Sequence, residues 1–446
     1  MVNRSLTAAP VGAQPDARIS GRRTVDVLVI LDGASEPLRS APTSLEQAHT
    51  PTLDRLATCS QMIRLRTVVP SLPAGSESAI PALLGWVPDA PVDRGAIEAA
   101  AHGVEVGDGE RAWRVDRCDR GDAGATALAL AWDLREGGQS DCRLHGVGRY
   151  RVHHLSGHRM LVVGPELDDT PGLHRASGQL RGGVRDAEAP IAGPEPCDAT
   201  RRLRGDVHDA KTLDVGRLDT QLFVWPAGAI PPRILNARTV VIGARGAAVG
   251  IARLMGARTL VPSGATGRPG TDLAAKAAAA IDAIDGGAAR VVVHVGAPDE
   301  AAHERDANAK VAAIEAADAL LLAPLVDALR MRCAAHGAGA TTLQVCPDHG
   351  CDPATGLHDG APVPCLRWPF APVHDQSATR ADLRFGEPRP ADAQLGDPPQ
   401  GEPPFERWRG ERLTERAVAH LPVIDLASVK VDASRRALAH ERAVLA

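Results

Sequence analysis

Aromatic residues are scarce in this chain of 446 residues, since phenylalanine, tryptophan and tyrosine together make up only 2% of it. The apolar core must therefore be built from alanine, valine, leucine and isoleucine, within a hydrophobic content of 44%. A strong excess of one charge is also missing, because 50 lysine and arginine residues stand against 55 aspartate and glutamate residues. The resulting net charge of −5 favours neither nucleic acid nor an anionic membrane as a partner.

Cysteine pairs of the Cys-x-x-Cys type are absent as well. The eight cysteines are scattered, which argues against a disulfide framework and against a thiolate zinc site. No run reaches the roughly 18 apolar residues of a membrane span. Residues 1–23 lack the apolar stretch of about 7–15 residues of a signal peptide and are interpreted as a disordered leader. We therefore predict a cytoplasmic protein.

Three apolar runs along the chain end at acidic residues. Their high content of β-branched residues and leucine is typical of strands buried on both faces of a parallel sheet. The runs and the groups that follow them are residues 25–31 with Asp32, residues 290–295 with Asp299, and residues 341–345 with Asp348 and His349. In open α/β sheets, ligands bind outside the carboxyl ends of the strands, so these groups are expected at one edge.

Helices are predicted between the strands, over residues 271–286 and 306–332, with a kink in the second at Pro324. Strands that alternate with helices predict a doubly wound α/β fold with a mostly parallel sheet. Composition then suggests a division of the chain. The predicted parts are a leader (1–23), a first core part (24–117), an inserted smaller α+β domain (118–250), and a second core part (251–446) with a Pro/Gly-rich excursion near 386–410.

Asp299 and His303 lie four residues apart in a segment where Pro298 suits the first turn of a helix. This spacing places both side chains on one helical face, where they could hold one divalent ion. An acidic residue at a helix start beside an exposed histidine is the alternative interpretation.

Other candidate groups follow strands or lie in loops. Asp348 and His349 could both turn toward the sheet edge if the backbone bends there. His358 is either a ligand or a solvated loop histidine, and Asp32 is either a ligand or a helix cap.

Ser76 follows a glycine at a predicted helix start, where backbone N–H groups create a positive dipole end. It is either a helix cap or a nucleophile whose phosphorylated form that helix end would stabilise. A serine hydroxyl needs a base or a metal to become a good nucleophile.

Taken together, these residues fit two metal sites. The first set is Asp32, Ser76, Asp348 and His349, and the second, with an open position, is Asp299, His303 and His358. Mixed Asp/His ligation suits Mn²⁺ or Zn²⁺ better than Ca²⁺. Two such ions, about 4 Å apart, can clamp the attacking and leaving oxygens of a phosphoryl transfer.

Eight stretches of the chain carry a resemblance to a known family. They are VLVILDG at 27–33, SLEQAHTPTLDRLA at 44–57, PAGSESA with LLGW at 73–86, RGAIEA at 94–99, ATG with TDLAAK at 265–276, HVGAPDEAAH at 294–303, PDH at 347–349 and HDGAPVP at 358–364. In order and context they resemble the archaeal-type branch of the cofactor-independent phosphoglycerate mutases, within the alkaline phosphatase superfamily.

The resemblance implies a glycolytic isomerase that interconverts 3-phosphoglycerate and 2-phosphoglycerate through a phosphoserine at Ser76. It implies two divalent ions, with Mn²⁺ expected and Mg²⁺, Zn²⁺ or Co²⁺ as alternatives, held by the seven residues of the two sets above. It further implies an α/β fold of the alkaline phosphatase type, in which residues 118–250 form a lid that binds a small phosphorylated hydroxy acid and excludes water.

Candidate substrate contacts by the same resemblance are Arg94, Arg114, Asp116 and Lys276. The chain departs from the family motifs at three positions. Glu77 replaces an aspartate after the serine, Asp116 replaces an asparagine, and Trp225 stands where the family has an arginine. The alternatives are therefore a mutase for another phosphorylated or phosphonylated hydroxy acid, a phosphomonoester hydrolase, and a metal-binding scaffold without activity.

Overall fold

A computed structural model describes residues 24–117, 151–156, 159–165, 211–215, 220–336, 341–368 and 412–427. The predicted leader and the predicted excursion near 386–410 lie outside these residues. The strands, numbered in chain order, are β1 (Val25–Leu31), β2 (Gln61–Arg66), β3 (Glu110–Arg117), β4 (Arg151–Ser156), β5 (Arg159–Pro165), β6 (Lys211–Val215), β7 (Thr220–Val224), β8 (Thr239–Ile242), β9 (Arg258–Leu260), β10 (Arg290–Val295), β11 (Thr341–Cys346), β12 (Gly350–Asp352), β13 (Leu357–Asp359), β14 (Val363–Trp368) and β15 (Val423–Asp425).

The helices of the described residues are numbered in the same way. They are α1 (Ser44–Gln47), α2 (Pro51–Ala57), α3 (Ser76–Leu84), α4 (Arg94–His102), α5 (Ala247–Met255), α6 (Leu273–Asp285), α7 (Ala297–His303), α8 (Ala307–Ala316), a π-helix (Ala317–Leu322), α9 (Ala323–His336) and α10 (Glu415–Val418).

An eight-stranded sheet forms the centre of the molecule, in the order β15-β2-β14-β11-β1-β10-β8-β9. Of the described strands in this sheet, β14 alone runs against its neighbours. The prediction of an α/β fold with a mostly parallel sheet is confirmed. Strand β1 lies between β10 and β11 and pairs in parallel with both. The carboxyl ends of the three predicted strands therefore meet at one edge of the sheet.

The hydrophobic core consists of two large clusters of buried aliphatic side chains. Strand β1 contributes to both, because its side chains alternate between the two faces of the sheet. Val27 and Val29 belong to one cluster, and Leu28 and Ile30 to the other. Large aromatic side chains play a small part, with Trp368 as a buried exception. The predicted composition of the core is confirmed.

The predicted helix over residues 306–332 is interrupted in the structure. Helix α8 ends at Ala316, a π-helical segment follows, and α9 begins at Ala323. The backbone stays helical at Ala317 and Ala323, so Pro324 does not lie at a free helix N-terminus. The helical type changes just before Pro324, and the kink predicted there stays a prediction.

A second, five-stranded antiparallel sheet has the order β4-β5-β3-β7-β6. Two strands lie close to the predicted boundaries of the inserted domain, whose extent stays a prediction. Strand β3, within 24–117, belongs to the second sheet, and β8, within 118–250, belongs to the central sheet. We retain an inserted domain as a proposal, with β3 as part of it.

None of the helices in the described residues combines the length and apolar character needed to cross a bilayer.

Candidate active site

The first group of predicted residues meets at the carboxyl end of β1. The Ser76 hydroxyl lies 3.2 Å and 3.3 Å from the two carboxylate oxygens of Asp32 and donates to them. It also lies 3.3 Å from Nε2 of His349. Asp32, Asp348 and His349 offer donor atoms that all lie within 4.8 Å of one another. The sequence prediction that these residues come together agrees with the geometry.

Local backbone structure fixes this arrangement. Helix α3 begins at Ser76, directly after Gly75, so the serine lies at the positive end of the helix. Gly33 adopts a φ of +59°, and a Cβ there would lie 2.5 Å from Oδ1 of Asp299. Glycine is required at position 33 both by its left-handed backbone and by this close approach. The Gly33 N–H donates to Oδ1 of Asp348, which holds that carboxylate in place.

The second predicted group, Asp299, His303 and His358, also comes together, and a fourth residue joins it. Cys351 offers its sulfur within 4.8 Å of the donor atoms of the other three residues. His303 ends α7, and Cys351 pairs directly with His358 across the β12–β13 hairpin. Residues that face each other across an antiparallel pair project on the same side, which brings Cys351 and His358 together.

Hydrogen bonds to backbone carbonyls set the orientation of both histidines in this group. Nδ1 of His303 lies 2.9 Å from the carbonyl of Gly356, and Nδ1 of His358 lies 2.8 Å from that of Ala74. A neutral imidazole that donates from Nδ1 presents a lone pair at Nε2. The two Nε2 atoms lie only 2.8 Å apart, with Asp299 oxygens 3.2 Å and 3.4 Å away. Such a convergence of acceptors is typical of a cation site.

Each group also contains a buried carboxylate oxygen that accepts no hydrogen bond. Oδ2 of Asp348 and Oδ1 of Asp299 are buried and have no hydrogen-bond partner. Buried carboxylates without a donor are costly, and a bound cation would remove that cost. The groups adjoin, because the ring centroids of His349 and His358 are 4.3 Å apart. The residues present therefore fit a pair of neighbouring divalent ions.

The sequence profile of the Metalloenzyme superfamily matches residues 25–378 of the chain. A 2,3-bisphosphoglycerate-independent phosphoglycerate mutase of Methanothermobacter thermautotrophicus is 30% identical over 372 residues, covering 76% of this chain and 87% of the relative. The chain belongs to the Metalloenzyme superfamily. The expected resemblance is confirmed, and with it an enzyme of the isomerase type.

Further relatives agree with this assignment. A phosphoglycerate mutase of the same type from Ignicoccus hospitalis is 26% identical, covering 79% of this chain and 90% of the relative. The solved structure of the PH0037 protein from Pyrococcus horikoshii superimposes with a TM-score of 0.56 at 22% identity, over 77% of this chain and 87% of that one. This likeness supports the fold.

Charge interactions in the first group are strong because its three titratable members, Asp32, Asp348 and His349, are buried. Burial and the Asp299 charge act to raise the pKa of Asp32, but hydrogen bonds from His294 and His349 hold it well below its usual value. Burial acts to lower the pKa of His349, but the carboxylates of Asp348 and Asp32 raise it well above its usual value. Asp32 is thus ionised, which is the form that can bind a cation.

Proton competition should make cation binding depend on pH. Burial and the Asp32 charge raise the pKa of Asp348 to about 7. Below this pH the carboxyl carries a proton that an incoming cation must displace, whereas above it the carboxylate is ready to bind. The affinity for a divalent ion should therefore rise about tenfold per pH unit and per proton released as the pH approaches 7 from below. Titration calorimetry in buffers of different ionisation enthalpy measures the affinity and the number of protons released. An affinity that does not change with pH below 7 would contradict the prediction.

The four residues predicted to contact the substrate lie outside the two groups of candidate metal ligands. Arg94 forms an ion pair of 2.5 Å with Glu77, the residue after the candidate nucleophile. Burial acts to raise the pKa of Glu77, but the Arg94 charge lowers it below its usual value. The guanidinium of Arg94 also lies over the ring of Trp225, 4.3 Å from its centroid. Both departures from the family motifs at Glu77 and Trp225 therefore contact Arg94.

Arg114 and Asp116 are buried together in strand β3. Two nitrogens of Arg114 donate to the two carboxylate oxygens of Asp116, at 3.0 Å each, and a third donates to Glu98 at 3.0 Å. The indole N–H of Trp225 donates to Asp116 at 2.6 Å. We call these residues, together with Arg94 and Glu77, the arginine cluster. Its two guanidinium groups each have a carboxylate partner.

Lys276 and a histidine missed by the sequence prediction lie beside the first group. Lys276 is fully buried, its ammonium donates to the carbonyl of His294 at 2.9 Å, and burial lowers its pKa to about 8. Nε2 of His294 lies 3.0 Å from Oδ2 of Asp32. The signal for His294 was its position near the carboxyl end of β10, directly beside β1 in the sheet, in register with Ile30.

The second sheet forms ion pairs and ring contacts with residues next to the candidate ligands. Arg159 of β5 forms an ion pair of 3.2 Å with Glu300, which lies in α7 between Asp299 and His303. Trp225 and Arg114 approach the other side through the arginine cluster. The second sheet thus contacts α7, the helix that carries Asp299 and His303.

Proposed function

We propose that this chain is a metal-dependent phosphoglycerate mutase that interconverts 3-phosphoglycerate and 2-phosphoglycerate through a phosphoserine at Ser76. The observation that supports this best is the position of the Ser76 hydroxyl, which donates to Asp32 within one set of candidate ligands. A second set adjoins the first through His349 and His358. The ligands would be Asp32, Ser76, Asp348 and His349 for one ion, and Asp299, His303 and His358 for the other.

The chemistry divides into two phosphoryl transfers. In the first, the Ser76 hydroxyl loses its proton to solvent, its oxygen forms a bond to phosphorus, and the bond from phosphorus to the substrate oxygen breaks. The released oxygen takes up a proton and becomes a free hydroxyl. In the second transfer, the other hydroxyl of the reoriented glycerate attacks phosphorus, and Ser76 regains its proton. Divalent ions, when bound, neutralise the charge of the phosphoryl group and lower the pKa of the serine hydroxyl.

Residues of the fold have supporting roles in this scheme. The first turn of α3 places its positive end at Ser76, which favours the phosphorylated state. The second sheet, which contacts α7 through Arg159, would exclude water while the phosphoserine exists. Loss of the phosphoryl group to water would convert the mutase into a hydrolase.

Two assays on the full-length protein loaded with Mn²⁺ test the proposal, with 3-phosphoglycerate as the substrate. One couples formation of 2-phosphoglycerate to enolase, and the other measures free phosphate. Isomerisation without phosphate release is the expected result. Phosphate release alone would replace the mutase with a phosphomonoester hydrolase.

A second candidate function is favoured by the arginine cluster. Recognition of a carboxylate typically uses an arginine fork. Arg94 and Arg114 already have carboxylate partners in Glu77, Asp116 and Glu98. The alternative is the same phosphoserine chemistry on a different phosphorylated or phosphonylated hydroxy acid. Silence in both assays, with two equivalents of metal bound, would support this alternative over phosphoglycerate.

A further inference from the structure

Cys351 is buried beside polar groups, and this distinguishes it from two other buried cysteines of the described residues, Cys346 and Cys365. Cys346 and Cys365 pack into an apolar cluster of the core. Cys351 is fully buried but is a member of none of the described apolar clusters. Its sulfur lies 3.9 Å from Nδ1 of His303. A thiol that fills no apolar space and faces an imidazole requires another explanation than core packing.

The hairpin geometry holds the sulfur in this position. Cys351 and His358 are paired residues of β12 and β13. Lys310, itself fully buried, donates to the Cys351 carbonyl at 2.7 Å and forms an ion pair of 2.8 Å with Glu36. The backbone at Cys351 is therefore anchored on both sides, and the sulfur has little freedom to turn away from the group.

An independent observation points to a cation at the same place. Asp299 is buried, and its Oδ1 has no hydrogen-bond partner. The Nε2 atoms of His303 and His358 converge on the same carboxylate. Carboxylate, two imidazoles and a thiol thus surround one volume, and a divalent ion is the ligand that satisfies all four.

We propose that Cys351 is a fourth ligand of the second metal site and makes that site selective for a thiophilic ion such as Zn²⁺ or Co²⁺. Thiolate and imidazole donors favour these ions, whereas carboxylate and hydroxyl donors favour Mn²⁺ or Mg²⁺. The first site, with Asp32, Asp348 and Ser76, is the richer in oxygen donors. The centre would accordingly hold two different ions. Coordination replaces the S–H bond by a sulfur–metal bond and releases the proton to solvent.

The proposal rests on the metal centre of the proposed function, and cobalt spectroscopy separates the two. The full-length protein is loaded with Co²⁺, and its absorption spectrum is recorded with the metal content. A near-ultraviolet charge-transfer band from thiolate to cobalt is expected in the native chain. Cys351→Ser should lose this band but retain the visible cobalt bands. Cys333→Ser, which alters a buried cysteine outside both groups, should leave the spectrum unchanged.

Competition between ions provides a second measurement. The preference of the second site for Zn²⁺ over Mn²⁺ should fall by about tenfold or more in Cys351→Ser, since even residues that only support a ligand contribute about 10–100-fold to affinity. Cys351→Ala serves the same purpose if the serine variant fails to fold. A native chain that binds cobalt without the charge-transfer band, or a band that persists in Cys351→Ser, would overturn the proposal for Cys351. A chain that binds no cobalt would overturn the metal centre itself.

Discussion

Replacing Ser76 with alanine should abolish turnover while leaving the metal content intact. The substitution removes the hydroxyl that lies within hydrogen-bonding distance of Asp32 and His349. Loss of a nucleophile typically costs about 10⁴-fold or more in turnover, because no other group can take its place. The carboxylate and histidine ligands of both groups remain, so two equivalents of metal should still bind. Steady-state assays and elemental analysis of the same preparation give the two results.

Ser78→Ala is the matched control for this experiment. Ser78 lies two residues further along the same helix, is buried, and donates to the Pro73 carbonyl at 3.0 Å. It shares the size and the helix of Ser76 but not the contact with the metal groups, so its variant should retain turnover. Normal turnover in Ser76→Ala would refute the phosphoserine mechanism. A phosphorylated peptide containing residue 76, found by mass spectrometry in the native chain alone, would support it.

Asp299→Asn should reduce the bound metal from two equivalents to one. Asp299 is the carboxylate of the second group, and its charge compensates that of the cation. Burial acts to raise the pKa of Asp299, but His303 and His358 hold it well below its usual value, so the native residue is ionised. Asparagine keeps the size but not the charge. His303→Ala, which removes another member of the same group, should have the same effect.

Metal content after desalting measures this effect, with Asp272→Asn as the control. Asp272 caps α6 by accepting from the Ala275 N–H, and asparagine caps helices about equally well. The control should therefore keep the fold and both equivalents. Two retained equivalents in Asp299→Asn would refute its assignment as a ligand.

The strands and the gathering of their acidic residues could be predicted from the sequence. Apolar runs such as residues 25–31 indicate buried parallel strands, and parallel strands must end at the same edge. That reasoning was sufficient to bring Asp32, Asp299 and Asp348 together. It could say nothing of pairing between residues in different short strands, which depends on the register of a hairpin.

Cys351 shows this limit most clearly. A search for Cys-x-x-Cys spacing dismissed it, because its partners in space are Asp299, His303 and His358 rather than another cysteine. A weak signal did exist, since Cys351 lies two residues after His349, at the spacing of one face of a strand.

The arginine cluster could not be predicted from the sequence for a related reason. The partners of Arg114 include Glu98, and no local pattern joins a helix residue to that strand.

The pairing of β1 with β10 and β11 has a consequence for the order of events during synthesis. Residue 31 ends β1 and residue 290 begins β10, so 290 − 31 places its first neighbour 259 positions later. At translation speeds of about 5–20 residues per second, β1 waits on the order of ten to fifty seconds for that partner. A nascent chain thus exposes one of its most apolar segments early and covers it late. The metal ligands of both groups can assemble only after His358 has emerged, which makes cation loading one of the last steps of maturation.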